Sequence, residues 1–119
     1  MTAGAWWALA LLGFAVVVTS AGLVEAESRL IDLAIRNGEL PTASRVLRVQ
    51  QGDDVTLRWS SDAALTVHLH GYDLEAKLVA GTPMTMRFQA KASGRFPIEA
   101  HARGASAERT LGYLEVHPR

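Results

Sequence analysis

The chain contains no cysteine among its 119 residues. This absence excludes disulfides, zinc–thiolate sites and cysteine nucleophiles. The chain also lacks a charge of one sign, because twelve Lys and Arg side chains balance twelve Asp and Glu side chains. A surface that binds phosphates needs an excess of cationic side chains, so nucleic acid is not an expected partner.

The sequence also lacks the motifs of common enzymes. It has no glycine-rich phosphate loop, and Ser60 and Ser61 are expected in a turn with no plausible general base beside them in sequence. We therefore expect a binding or structural protein rather than an enzyme.

The first feature that is present is a long apolar segment. Residues 3–24 carry no charged side chain, and about 20 apolar residues are enough to cross a bilayer as a helix. Trp6 and Trp7 near one interface favour a retained transmembrane anchor over residues 1–26. The alternative is a signal peptide that ends at the small residues around Val24 and Ala26. Either case predicts that the domain over residues 28–119 is periplasmic or otherwise extracytoplasmic, and a retained segment would anchor it in the inner membrane.

From residue 28 onward, apolar and polar residues alternate in short runs. Period-two alternation predicts strands with one buried and one exposed face. The runs cover residues 30–36, 45–50, 55–59, 65–70, 84–89, 96–101 and 112–117, with a weaker run over 74–79. No amphipathic helix is predicted between them. The pattern indicates an all-β antiparallel sandwich.

The segment VHLHGYD, over residues 67–73, contains two of the four histidines. His68 and His70 are two residues apart in a strand pattern, so their side chains point to the same face. Two imidazoles on one face can bind a transition-metal ion such as Cu(II). The alternative interpretation is a solvated strand face that carries two incidental histidines.

The C-terminal half resembles the closing hairpin of the cupredoxin family. The segments GRFPIEAH (94–101) and LGYLEV (111–116) are similar to the strand that enters the family's metal loop and to the strand that closes its domain. Residues 46–57 are similar to an earlier pair of strands, and HLHGYD (68–73) stands where the family usually has its first copper histidine. The resemblance implies a Greek-key cupredoxin-like sandwich with metal ligands at one end.

The same resemblance implies that the type-1 copper site is broken. Alignment on Gly94 and Phe96 places Ala100 where the copper cysteine belongs, and the usual methionine position falls near Thr110. A blue-copper centre requires the thiolate. We therefore expect no intense blue colour and no electron transfer of the usual low-reorganisation kind.

The predicted metal ligands are His68, His70 and His101, of which the last lies at the metal end that the resemblance implies. Glu99 shares a strand face with His101 and is a candidate further ligand or an acceptor that orients an imidazole, although it also fits a plain exposed glutamate. Asp73 could act in the same way or could shape the turn after Gly71 and Tyr72.

Two hypotheses about function follow. In the first, the domain binds a copper ion through the three histidines, in the style of a type-2 centre, and stores, delivers or senses copper at a membrane. In the second, the fold has lost its metal and serves as an accessory subunit of a membrane complex. Small residues in the N-terminal segment would permit the close helix contacts that such a subunit needs.

Overall fold

The computed structural model describes residues 3–4, 12–19, 22 and 26–119. Most of the predicted anchor or signal helix over residues 1–26 therefore lies outside the described residues. Within the part of the chain that is described, no helix is long and apolar enough to cross a membrane.

Within residues 26–119, eight strands form two sheets. The first sheet has three strands in the order β1–β3–β6, and the second has five in the order β2–β8–β7–β4–β5. A single turn of 3-10 helix, Thr42–Ser44, precedes β2. The strands are β1 (Ser28–Ile35), β2 (Val46–Gln50), β3 (Asp54–Ser61), β4 (Leu65–Leu69), β5 (Leu74–Leu78), β6 (Met84–Gln89), β7 (Gly94–Ala102) and β8 (Arg109–His117).

The predicted all-β sandwich is confirmed, but its strands are not all antiparallel. Strands β1 and β3 pair in parallel, and so do β2 and β8, whereas the other pairings between described strands are antiparallel. The reason is that β2 and β3, although consecutive, belong to different sheets, so their partners are distant in sequence. Hydrophobic alternation reports which face a residue occupies and carries no information about the direction of the neighbouring strand.

The core fills the space between the two sheets. Each strand contributes alternate residues to it, as the period-two pattern predicts: Trp59 on β3, Leu69 on β4 and Ile98 on β7 are at most 1% exposed. Each such large apolar side chain contributes about 1.5–3 kcal/mol relative to an exposed position. The intervening residues of the five-stranded sheet are consequently left on its outer face.

One carboxylate is buried at the edge of this core. Asp53 is 0% exposed and accepts hydrogen bonds from the backbone N–H groups of Gln50 (2.9 Å) and Glu27 (3.3 Å). The guanidinium groups of Arg29 and Arg119 also donate to it. Burial alone would raise the pKa of Asp53, but the hydrogen bonds from Gln50, Arg119, Glu27 and Arg29 together lower it below its ordinary value. Asp53 thus fastens the β2–β3 turn to both ends of the domain.

We expect Asp53→Asn to destabilise the protein by about 2–3 kcal/mol at pH 7, because a charged acceptor of several hydrogen bonds is lost. A carboxyl group whose pKa is lowered by folding stabilises the fold above its unfolded pKa of about 3.9 and loses that contribution as the pH falls through the folded pKa. Urea unfolding at pH 7 and at lower pH should therefore show the difference between the two proteins shrinking below about pH 4.

The control for this variant is Asp54→Asn, because Asp54 is the adjacent residue and is exposed. It should change stability by less than about 0.5 kcal/mol. Equal stability of the wild type and Asp53→Asn at pH 7 would contradict the structural role of the buried carboxylate.

Candidate metal centre

The candidate centre lies on the outer face of the five-stranded sheet, where β4 runs between β5 and β7. His68 stands directly opposite Glu75 on β5 and Glu99 on β7. Because successive side chains of a strand point to opposite faces, the burial of Val67 and Leu69 turns His68 outward. The local sequence thus assigns apolar residues to the core and titratable residues to one shared surface.

His68 and His101 meet on this surface. His101 pairs with Thr66, which is two residues before His68 on β4 and therefore on the same face. The Nε2 atoms of His68 and His101 are 3.1 Å apart. The His101 Nδ1 atom lies 3.0 Å from the carbonyl oxygen of Ala102. Since a carbonyl oxygen only accepts, Nδ1 carries the proton, and a neutral His101 ring presents the lone pair of Nε2 toward His68.

His70 lies beside this pair but contacts other groups. Its ring centroid is 6.0 Å from that of His68, and its Nε2 atom is 3.4 Å from an oxygen of Glu99. The backbone N–H of His70 donates to the carbonyl of Pro97 at 3.0 Å, which continues the ladder between β4 and β7 past the end of β4. The structure therefore brings all three predicted imidazoles onto one surface, with Glu99 among them.

Glu108, which no pattern in the sequence predicts as a ligand, completes the cluster. Its Oε1 atom is 3.6 Å from Nε2 of His68, and its Oε2 atom is 3.6 Å from Nε2 of His70. It lies in the loop just before β8, where no strand periodicity indicates which way a side chain points. The one feature of the sequence that points to Glu108 as a ligand is that it is the only acidic residue between His101 and Arg109.

Two sets of potential metal ligands result among the described residues. In each set the donor atoms lie within 4.8 Å of one another. The first set is His68, His101 and Glu108, and the second is His70, Glu99 and Glu108.

The carboxyl groups of Glu99 and Glu108 interact with each other. A hydrogen bond with Glu108, followed by desolvation, raises the pKa of Glu99, although nearby His70 opposes this effect. The same hydrogen bond, together with the three imidazoles, lowers the pKa of Glu108 against a smaller desolvation effect. Glu108 therefore provides the carboxylate of the pair, and Glu99 retains its proton to higher pH.

Glu75 and Asp73 lie at the margin of the cluster. An oxygen of Glu75 is 3.5 Å from Nδ1 of His68, a position from which a carboxylate orients an imidazole whose other nitrogen binds a metal. Asp73 lies in the turn between β4 and β5 with a φ of 53°, and it belongs to neither ligand set among the described residues.

The turn after His70 is held by aromatic packing. The Tyr72 hydroxyl donates to the carbonyl of Ala92 at 2.8 Å, and its ring packs on Phe88 and Phe96 with centroid distances of 5.0 and 4.9 Å. Gly71 has a φ of 86°, and a Cβ atom on it would lie 2.3 Å from the Phe96 ring. These contacts fix the position at which the chain leaves β4 and hence the backbone of His70.

The donor set fits a transition-metal ion. Two ligand atoms that are each about 2 Å from one ion stand roughly 3 Å apart, which matches the 3.1 Å between Nε2 of His68 and Nε2 of His101. The centre is also distinct from the type-1 position that the resemblance implies. Ala100, at that position, is 2% exposed and faces the core, whereas the adjacent Glu99 and His101 face outward.

Solved structures that resemble this protein have the cupredoxin fold. A chain of a heme-copper terminal oxidase dimer matches with a TM-score of 0.63 and 17% identity, covering 84% of this chain and 76% of its own. A blue copper oxidase from Nitrosomonas europaea matches with a TM-score of 0.62 and 20% identity, covering 78% and 40%. A copper-binding protein in its apo form, solved by NMR, matches with a TM-score of 0.58 and 12% identity, covering 78% and 98%.

These matches establish the fold of the protein, a cupredoxin-like β-sandwich without the type-1 copper cysteine. The chain spans less than half the length of the multicopper oxidase chains that it matches. No protein-family model matches the sequence, and no curated protein does.

We expect Gly71→Ala to destabilise the protein by about 2–4 kcal/mol, because it combines a strained positive φ with overpacking against Phe96. Gly81→Ala is a matched control, since Gly81 has a similar φ of 78° but open space around its Cβ position. The control should cost only about 1 kcal/mol. Thermal unfolding of both variants measures the difference, and equal losses would show that the Phe96 contact is unimportant.

Proposed function

We propose that this protein is a copper-binding module whose ligands come from His68, His70, His101, Glu99 and Glu108. The observation that carries the proposal is the 3.1 Å approach of two imidazole Nε2 atoms from different strands, with the Glu108 carboxylate beside them. When both rings are neutral, one of these two Nε2 atoms must carry a proton and donate it to the other. A metal ion bound between the two nitrogens can take the place of that proton.

The chemistry of the donors favours copper among the divalent metals. Imidazole nitrogen suits copper, zinc and nickel, and the affinity of such sites for first-row divalent ions peaks at copper. When bound, copper would supply a Lewis-acidic and redox-active ion. The protein's own residues would bind it, and Glu75 would orient the His68 ring through Nδ1.

The accessibility of the centre supports copper storage, delivery or sensing rather than electron transfer or catalysis. The side chains of His68 and His70 are 24% and 45% exposed, so an ion on this face could exchange with an external donor or acceptor. No thiolate is available to build a type-1 site. We therefore propose a binding protein and not an enzyme.

The proposed location is extracytoplasmic. The uncharged run over residues 3–24 supports this location, because it has the length of a membrane anchor or an export signal. If the run is retained, it would hold the copper-binding domain at the surface of the inner membrane.

A role as an accessory subunit of a membrane complex is the second candidate. The observation that favours it is the fold similarity to a chain of a heme-copper terminal oxidase dimer. This role predicts that native protein extracted in mild detergent has a mass well above that of one 12.8 kDa chain because companion chains accompany it. Extraction as a lone chain would count against it.

Copper binding is tested with the purified full chain in detergent. We expect Cu(II) titration to give tight, saturable binding, and we expect the combined His68→Ala, His70→Ala and His101→Ala variant to weaken it at least about a hundredfold, since all three imidazole ligands are lost. His117→Ala is the matched control, because His117 lies at the end of β8, away from the cluster, and contacts Glu115. Undiminished binding by this triple variant would refute the proposal.

A further inference from the structure

We propose that the centre binds two metal ions and that the carboxylate of Glu108 bridges them. This inference rests on the proposed function and specifies its stoichiometry. The observation that motivates it is the division of the cluster into two ligand sets that share only Glu108.

Apart from Glu108, each ligand set has two donors of its own, which are two imidazoles in the first set and an imidazole and a carboxyl group in the second. His68 and His101 provide two nitrogens that are 3.1 Å apart for the first ion. His70 and Glu99 provide a nitrogen and an oxygen that are 3.4 Å apart for the second. Neither pair requires a ligand from the other, so each pair can hold an ion of its own, with Glu108 as the ligand that the two positions share.

The two oxygens of Glu108 point to different histidines. Oε1 lies 3.6 Å from Nε2 of His68, and Oε2 lies 3.6 Å from Nε2 of His70. A carboxylate that presents one oxygen to each side is the group that can link two cations, and ions in two-metal sites lie about 3.5–4 Å apart.

A single shared ion fits the geometry less well. The three imidazoles do not form one set among the described residues, because their donor nitrogens do not all lie within 4.8 Å of one another. The ring centroids of His68 and His70 are 6.0 Å apart. Since the turn at Gly71 and Tyr72 holds the backbone of His70, one ion would have to draw its side chain away from Glu99.

The local charge also favours a second cation. Three carboxyl groups, those of Glu75, Glu99 and Glu108, lie within 3.6 Å of an imidazole nitrogen of this cluster. Together they can offset most of the charge of two divalent ions, which would otherwise repel each other across the short separation.

The test is the copper content of the full chain in detergent, measured after equilibrium dialysis against Cu(II), together with electron paramagnetic resonance. We expect two copper ions per chain at saturation. Two Cu(II) ions joined by a carboxylate are spin-coupled, so we also expect a half-field signal and fewer than two detectable spins per chain.

Two ligand variants and one control separate the roles of the ligands. Glu108→Gln should lower the copper content to about one ion per chain and abolish the coupling signal. His70→Ala should also retain one ion, held by His68 and His101. Glu115→Gln is the control, because Glu115 is another glutamate of the same sheet that contacts Arg48 and His117, and it should keep both ions and their coupling.

The outcomes distinguish this inference from the proposed function. One ion per chain in the wild type would overturn the two-ion centre and leave copper binding intact. Two ions without coupling, or two ions in Glu108→Gln, would overturn the bridge. No bound copper would overturn both proposals.

Discussion

The register between β4 and β7 is the constraint on which both the core and the candidate metal centre depend. Val67 stands opposite Ala100 on the inner side, and His68 stands opposite Glu99 on the outer side. A slip of one residue would exchange the two faces, which would bury imidazoles and carboxylates and expose the apolar set. The free energy gained by burying the core therefore also holds the ligands of the centre in place.

The alternation of residues was sufficient to predict the strands and the faces of most of them. It placed Trp59 and Leu69 inside and the imidazoles of His68 and His70 on a shared face, because alternation is a local property. It could not predict that β1 and β2 pair in parallel with their partners, since pairing depends on contacts between distant segments. Glu108 was missed for a related reason: it lies in a loop, and only the three-dimensional path of that loop brings it to the histidines.

The candidate centre lies on the outer side of β7. The resemblance places the position of the missing copper cysteine at Ala100, which faces the core, whereas Glu99 and His101 on either side of it face outward. One strand can thus offer two separate surfaces for a metal, an inner one that needs a cysteine and an outer one that needs only imidazole and carboxylate. The loss of the first surface does not require the loss of the second, because they share no side chain.

The hydrogen bonds of Asp53 have a consequence for the connectivity of the domain. Glu27 and Arg119 both contact this one carboxylate, so the two ends of the sandwich emerge side by side, at the opposite end of β7 from His101. Adjacent ends permit circular permutation or insertion of the whole unit into a surface loop of another protein. The imidazole cluster would keep its surroundings in such a chimera.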